Sequence, residues 1–347
     1  MISAHALALT GIKVKKEAGG DTGASLAKLE QSRRSGKYDV IYGIDNMVYG
    51  KATKNKDLVA YKPFFADRIQ PKLVFFAPHD NASWFATPAD HGYVGLNVDL
   101  NDGGLNGTIE SLSRVRLYAD RFVTEDPRHS SPGLAFLLTT ISAFGENPPY
   151  SNALYDWKAF WSDLLRGPDR NLDGHHEGCV LVAPSWKAAY EQHFSAGYGV
   201  AAGGLGDRSI VVSYTTSPAY EQANGMKASD VAVPLLANGT TYHQIQTIAI
   251  ANGTKNLQAA QAWVEFTLTD AFQELTAPSD VMYPVVAGIS TSKGFKGNDP
   301  PPGSFAAVEF PQSFLATKNE KGVSNLDRWL GAWAELDENP DLNCNLA

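Results

Sequence analysis

Segments with the pattern of buried strands alternate along this chain with segments that have the periodicity of amphipathic helices, and this alternation limits the fold more than any other feature. Short apolar runs such as Tyr38–Tyr42 and Cys179–Val182 predict strands. Longer segments such as Pro132–Phe144 and Trp157–Leu165 predict helices. Such alternation is typical of α/β proteins. With 347 residues, 44% of them hydrophobic, the chain is long enough for two α/β lobes.

The remaining periodic segments extend the same alternation over the rest of the chain. Further strands are predicted at Ile12–Lys15, Leu73–Phe76, Tyr93–Val98 and Thr247–Ala251, and further helices at Ser25–Arg34, Trp186–Phe194, Asn256–Leu268, Asp270–Leu275 and Ser324–Leu336. The segment Val115–Phe122 fits either kind of element.

Charge and hydropathy exclude several classes of function. The net charge is −8, so the basic surface that nucleic-acid binding requires is not expected. No apolar run approaches the roughly 18 residues of a membrane-spanning helix. The amino terminus, MISAHALALTGIKVKK, lacks a charged segment followed by an apolar one, so no signal peptide is predicted. Nothing in the composition points to a cofactor.

Three strand-to-helix corners concentrate hydroxyl groups where helices are predicted to start. They lie at Gly20–Ser25 (GDTGAS), at Asp126–Gly133 (DPRHSSPG) and at Thr216–Pro218, the end of SIVVSYTTSPAY. The first N–H groups of a helix have no partner within the helix, and the helix dipole is positive there, so such corners suit anions. Ordinary helix capping by the same hydroxyl groups is the alternative.

Aromatic residues accompany these corners. Trp186 opens the predicted helix in APSWKAAY, and Tyr214 and Tyr220 flank the third corner. Tyr93 follows the polar stretch Asp90–Gly92, and Tyr283 stands in VMYPV. Each of them alone is compatible with a place in the core. Together, beside polar corners, they indicate a cage for a flat or cationic ligand.

Six stretches carry a resemblance to a known family. They are YDVIYGIDN (38–46), PADHGYVGLNVD (88–99), EDPRHSSPGL (125–134), APSWKAAY (183–190), SYTTSPAY (213–220) and MYPV (282–285). With them the chain resembles the thiamine-binding periplasmic proteins, the substrate-binding subunits of bacterial ABC importers. The resemblance implies the type II periplasmic-binding-protein fold, in which hinge strands join two α/β lobes with a ligand cleft between them.

The resemblance also implies a ligand, a partner and a set of binding residues. The ligand would be thiamine, a thiamine phosphate or a related pyrimidine, and the partner the membrane permease of an ABC transporter. The protein itself would lie in the periplasm or another extracytoplasmic location. The protein would bind its ligand without acting as an enzyme and without a metal. The binding positions implied are Ser130, Trp186, Tyr214 and Tyr220, with Thr22 and Gly23 at the phosphate side.

The resemblance also implies the division into lobes, with residues 1–95 and 245–347 in one lobe and residues 96–244 in the other. Tyr93–Val98 and Gln244–Ile250 would be the hinge strands. This chain departs from the family at three points. The first strand of the family and its aromatic contacts have no counterpart, Thr22 replaces an acidic residue, and Val281 stands where the family has a tryptophan.

Other constellations compete with this interpretation. Asp169, Asn171 and Asp173 open like a calcium loop, but its twelfth position is Val180 instead of a glutamate. The adjacent histidines 175 and 176 make a weak zinc signal. A thiaminase-like enzyme on the same fold would use a cysteine such as Cys179, which lies in an apolar run that favours a buried thiol. A ferric-ion-binding transport protein would need adjacent tyrosines, whereas Tyr214 and Tyr220 are six positions apart.

Overall fold

The structure, a computed structural model, describes residues 10–76, 84–103, 105, 109–146, 156–167, 178–197, 206–223, 225, 227, 230–232, 236–291, 295, 306–339 and 341. The chain forms two compact units. Unit 1 consists of Met1–Gly92 and Gln244–Asp299, and unit 2 of Tyr93–His243 and Pro300–Ala347.

Strands and helices alternate along the described chain, as the sequence predicts. The strands are β1 (Val40–Asp45), β2 (Leu58–Val59), β3 (Thr87–Asp99), β4 (Phe122–Glu125), β5 (Leu181–Ala183), β6 (Ile210–Tyr214), β7 (Val231–Ala232), β8 (Tyr242–Ala251) and β9 (Tyr283–Pro284). The helices are α1 (Thr22–Ser32), α2 (Tyr49–Lys54), α3 (Leu112–Val115), α4 (Ser131–Phe144), α5 (Trp157–Arg166), α6 (Trp186–Ala188), α7 (Ser217–Ala223), α8 (Leu257–Thr267), α9 (Asp270–Asp280), α10 (Gln312–Ala316) and α11 (Asn325–Asp337). A π-helical turn, Ala189–His193, continues α6.

Unit 1 is built on a sheet in which β8 lies between β1 and β3. Strands β1 and β2 pair antiparallel with β8, and β9 pairs antiparallel with β3. Pairing of β1 with β8 shifts register at Gly43, whose φ of 100° a residue with a side chain rarely adopts. One core cluster includes Tyr49 and Trp84, and a second includes Trp263 and Phe272.

Unit 2 is built on a sheet with the order β3-β6-β4-β5. Strand β4 is parallel to both β5 and β6, while β3 is antiparallel to β6. Helix α4 is buried along Ser131–Ile141, which explains why its sequence is apolar on all sides. Its Phe136 meets Trp161 of α5 edge-on, with ring centroids 5.6 Å apart. The parallel strands therefore have helices packed on them, as α/β proteins require.

Strands β3 and β8 each contain residues of both units, because the unit boundaries fall at residues 92/93 and 243/244. Both crossings lie within or beside the segments proposed as hinge strands. The carboxyl-terminal part of the chain is divided differently from the expectation, which placed residues 245–347 together in one lobe. Pro300–Ala347 instead belongs to unit 2.

Helix α11 explains this difference. Its Trp333 is fully buried and packs edge-on against Trp161, with 5.6 Å between ring centroids. Arg328 of the same helix forms an ion pair with Glu146 at 2.5 Å. The amphipathic pattern of the helix predicts a buried face, but it does not reveal which unit covers that face.

Three predicted elements differ in the structure. Ile12–Lys15 has no strand partner within the described residues and is not a strand. Leu73–Phe76 is also not a strand; a 3₁₀ turn, Pro71–Leu73, precedes it. The ambiguous segment contains the end of α3 and a 3₁₀ turn, Arg116–Arg121, before β4 begins at Phe122. Among the residues described, no helix is both long and apolar enough to cross a membrane.

Candidate functional site

Three neighbouring parallel strands of unit 2 end at the same edge of the sheet and bring three corners together. Register pairs Glu125 of β4 with Ala183 of β5, and Val123 of β4 with Val211 of β6. The corners that follow lead into α4, α6 and α7. Ligands of open α/β sheets bind at such carboxyl-terminal edges, so this edge, called the corner site below, is the candidate binding site.

Ser130 contributes a buried hydroxyl group to the corner site. The residue is 2% exposed and occupies the N-cap position of α4 with extended backbone angles. Its side chain does not cap the helix, and its Oγ has no hydrogen-bond partner among the described residues. Leaving a buried hydroxyl without a partner costs free energy, so this group is a candidate for contact with a ligand.

The turn that carries Ser130 packs closely against the strand before it. The amides of His129 and Ser130 donate to the carbonyl oxygen of Asp126 at 3.1 and 2.9 Å. A Cβ atom added to Gly133 would lie 2.4 Å from the carbonyl oxygen of Glu125. Glycine is therefore required at residue 133 for the start of α4 to approach the end of β4.

An aromatic cluster forms at the two corners that follow β5 and β6. Trp186 is half-buried and stacks on Tyr190, with ring centroids 5.3 Å apart and an interplanar angle of 15°. Tyr220 meets Trp186 edge-on at 5.8 Å and Tyr190 at 6.1 Å. The half-buried rings of Trp186 and Tyr220 thus present apolar surface, supported from behind by the fully buried Tyr190.

Hydroxyl groups hold the indole of Trp186 in place. Its Nε1 donates to Ser213 Oγ at 2.8 Å, and Ser213 Oγ lies 2.9 Å from Ser217 Oγ. Burial raises the pKa of the Tyr190 hydroxyl well above its ordinary value, and the charge of Glu221 raises it further. The polar edges of these rings are thus turned into the protein, so a ligand would meet mainly their faces.

Tyr214 is the last residue of β6 and is half-buried. Along the chain it lies six positions before Tyr220 of the aromatic cluster. The next residue, Thr215, is 1% exposed, and its amide donates to the carbonyl oxygen of Tyr93 at 2.8 Å. Its Oγ1 has no hydrogen-bond partner in the part of the chain that the structure describes. Strand β6 is therefore followed by a hydroxyl group that, like that of Ser130, is buried and has no hydrogen-bond partner among the described residues.

Thr22 and Gly23 lie in unit 1, at the start of α1. The Thr22 hydroxyl donates to the carbonyl oxygen of Gly43 at 2.8 Å, and the Ser25 hydroxyl donates to that of Gly20 at 3.3 Å. The Ser25 hydroxyl proton thus serves the backbone of the corner itself, and the Thr22 hydroxyl proton serves the backbone of β1. Asp21, at the N-cap position, makes no side-chain capping bond.

Four of the six expected positions are thus on unit 2. Ser130, Trp186 and Tyr214 lie where three neighbouring strands lead into helices, and Tyr220 lies in α7. The expectation missed Tyr190 and Ser213. Tyr190 lies four residues after Trp186, a helical spacing that places both side chains on one face. Ser213 lies within a stretch whose apolar pattern predicts only a buried strand, so the sequence carries no signal for its bond to the indole.

The structure gives little support to the alternative enzyme and metal-binding functions. Cys179 is 4% exposed and disulfide-bonded, which leaves no thiolate for nucleophilic catalysis; the only other cysteine of the sequence is Cys344. The suspected calcium and zinc residues, 169–176, lie outside the described residues. Among those described, no group of three or more His, Cys, Asp or Glu residues is placed to hold a metal ion.

Val281, at the position where the family has a tryptophan, is 8% exposed and adopts a left-handed backbone conformation with a φ of 55°.

Comparison with known proteins identifies relatives along most of the chain. It is 26% identical over 306 residues to the thiamine-binding periplasmic protein of Escherichia coli (strain K12), a match that covers 87% of this chain and 80% of that protein. A solved periplasmic thiamin binding protein superimposes with a TM-score of 0.72 at 24% identity, covering 96% of this chain and 89% of the other. A ferric binding protein from Campylobacter jejuni gives a TM-score of 0.65 at 18% identity, covering 96% and 94%. No protein-family model matches the chain.

These comparisons confirm two expectations. The chain resembles the thiamine-binding periplasmic proteins, and its fold is that of the type II periplasmic-binding proteins. The solved structures support the fold alone, because proteins that carry different ligands share it.

Proposed function

We propose that this protein is a solute-binding protein that captures thiamine, a thiamine phosphate or a related pyrimidine and delivers it to an ABC-type membrane permease. The observation that carries the proposal is the corner site, where a preformed aromatic cluster and the buried hydroxyl of Ser130, which has no partner among the described residues, follow neighbouring parallel strands. The relatives named for thiamine binding support the choice of ligand. Their periplasmic names support an extracytoplasmic location.

The aromatic cluster suits the ring systems of thiamine. Its pyrimidine is flat and its thiazolium is flat and cationic, so both rings gain from the faces of Trp186 and Tyr220. Because the indole N–H already bonds Ser213, the ring needs no rearrangement to receive a ligand. Tyr214 completes the set as the third aromatic residue of the site.

The hydroxyethyl or phosphate tail of the ligand is assigned to Ser130. Its hydroxyl, which has no partner in the described part of the chain, would donate to the tail at the start of α4, where the helix dipole also favours a negative group. Thr22 and Gly23 of unit 1 are proposed for the phosphate side on the resemblance alone. There, the backbone N–H groups at the start of α1 are the donors, because the Thr22 hydroxyl proton is committed to Gly43.

Two other functions are weaker. A thiaminase would need a reactive cysteine, and Cys179 is disulfide-bonded. A ferric-ion carrier has the support of similar folds such as the ferric binding protein, but Tyr220 packs against Trp186 and its hydroxyl donates to Glu191 at 3.5 Å. We therefore propose binding without chemical change to the ligand.

Calorimetric titration tests this function. Thiamine, thiamine monophosphate, the free hydroxymethylpyrimidine and ferric citrate are titrated separately into folded protein. Binding of at least one thiamine compound, recovered unchanged afterwards, is expected. Heat from ferric citrate alone would favour the iron carrier, and cleavage of recovered thiamine would favour the enzyme.

Ser130→Ala gives the sharper test of the tail assignment. The loss of one charge-assisted hydrogen bond should weaken binding of thiamine monophosphate by roughly 1.5–3 kcal/mol. The loss for thiamine should be smaller. Equal losses for both ligands would remove Ser130 from the phosphate role.

A further inference from the structure

Arg128 lies in the turn that presents Ser130, and its guanidinium donates to carboxylates of the protein itself. Its Nε donates to Asp126 Oδ1 and Oδ2 at 2.9 and 3.0 Å, and one terminal nitrogen donates to Asp126 Oδ2 at 2.7 Å. Its backbone amide also donates to Asp126 Oδ1 at 2.8 Å. The arginine thus closes the turn in which it stands, by both main chain and side chain.

The same guanidinium ties this turn to the end of α11. It donates to Asp337 at 3.1 Å and to Glu338 at 2.8 Å. It also lies over the ring of Trp333, 5.3 Å from its centroid. Three carboxylates and one indole face therefore hold a single arginine, which is 30% exposed. A planar fork of donors can satisfy this set, whereas a lysine ammonium cannot.

We infer that Arg128 is a positioning residue, which presets the turn of Ser130 and the start of α4 for the ligand and anchors both to the carboxyl-terminal helix. The inference rests on the proposed function. In a turn held at several points, the serine hydroxyl and the first N–H groups of α4 lose little freedom when the ligand binds. Without Arg128, the carbonyl oxygen of Asp126 would still accept from the amides of the turn. The link between the turn and the end of α11 would be broken.

The consequence concerns one end of the ligand. A loosened turn moves Ser130 without moving Trp186 or Tyr220, which follow other strands. Arg128→Met should therefore weaken binding of thiamine monophosphate by about tenfold, the loss expected when one charge-assisted hydrogen bond is misplaced. Binding of the free hydroxymethylpyrimidine should change by less than about twofold. Arg128→Lys should not restore phosphate binding.

Arg328→Met is the matched control. Arg328 also belongs to unit 2, pairs with a carboxylate, Glu146, and lies over a tryptophan of α11, 5.6 Å from the ring centroid of Trp329. Among the described residues, the side chain of Arg328 donates to Glu146 and Asn325 and not to the turn of Ser130. Its loss should weaken the packing of α11 without removing a bond to the turn of Ser130. Should Arg128→Met fold poorly, Glu338→Gln removes the negative charge of one outer partner of Arg128 and should show the same selectivity more weakly.

Hydrogen exchange gives a readout that needs no ligand. The amides of His129 and Ser130 should exchange about tenfold faster in Arg128→Met than in the native protein. The amides in the middle of α4 should be unchanged, and Arg328→Met should leave the turn as it is. This pattern, together with the selective loss of phosphate binding, supports the positioning role. Unchanged exchange at the turn, or equal losses for both ligands, overturns it. If the native protein binds no thiamine compound, the proposed function fails, while the exchange data still decide whether Arg128 orders the turn.

Discussion

Replacing Asp90 with asparagine should make the protein more stable at neutral and higher pH. Asp90 lies on β3, is 1% exposed, and accepts a hydrogen bond from the Tyr42 hydroxyl through Oδ2. Its Oδ1 has no partner among the described residues. Burial raises the pKa of this carboxyl from 3.8 to about 7, and the charge of Asp280 adds to the effect, while the bond from Tyr42 opposes it.

The sign of the effect follows from the direction of this shift. Because the pKa is higher in the folded state, the native protein is favoured while the carboxyl is protonated, and this advantage is lost as pH rises from 3.8 to about 7. A shift of that size corresponds to about 4 kcal/mol at 1.36 kcal/mol per pH unit. Asparagine keeps an acceptor for Tyr42 and never ionises.

Urea unfolding of Asp90→Asn and the native protein, followed over a pH series, measures the difference. The variant should gain about 3 kcal/mol relative to the native protein between about pH 4.5 and pH 8, the portion of the full span that this interval covers. Tyr42→Phe is the companion variant. It removes the bond that lowers the pKa of Asp90, so the native-type decline in stability should extend to higher pH. Parallel stability curves for Asp90→Asn and the native protein would show that Asp90 is not a buried carboxyl with a raised pKa.

Three further predictions concern unit 2. Trp186→Ala should weaken thiamine binding by about two- to thirtyfold, the range of one cation–π contact, as measured by calorimetry; an unchanged affinity would place the thiazolium elsewhere. Gly133→Ala should lower the free energy of unfolding by about 1–3 kcal/mol in urea, because its methyl group would meet Glu125, and a neutral result would mean that α4 shifts freely. Ser130→Ala should leave the stability of the ligand-free protein unchanged or raise it by up to about 1 kcal/mol, because it deletes a buried hydroxyl that has no partner among the described residues. A clear loss in thermal unfolding would indicate a structural hydrogen bond of Ser130.

Helices with strong periodicity could be predicted closely from the sequence. Pro132–Phe144 was expected and α4 begins one residue earlier, at Ser131. Ser324–Leu336 was expected, and Ser324 caps α11 by accepting from the Asp327 amide. A helix satisfies its backbone within its own segment, so local pattern and caps carry most of the information.

Strands were less predictable because their hydrogen bonds come from elsewhere in the chain. Ile12–Lys15 has the composition of a strand but pairs with nothing among the described residues. Strand β4 escaped prediction because its end, Thr124 and Glu125, is polar yet fully buried between β5 and β6. Periodicity does not reveal a polar residue that tertiary packing buries.

The same limit applies to the corner site. The hydroxyl groups and aromatic rings could be found from the sequence because they stand at strand-to-helix corners, where ligands gather. Their partners could not be found. The bond of Thr22 to Gly43 and that of Trp186 to Ser213 join segments 21 and 27 positions apart, and only the fold brings them together.

A crystal structure with thiamine monophosphate bound is the most direct test of the corner site. The ligand should lie with one ring in van der Waals contact with Trp186 or Tyr220. A phosphate oxygen should lie about 3 Å from Ser130 Oγ, the distance of a hydrogen bond. Ligand density that touches neither Ser130 nor these two rings would contradict the assignment of the corner site.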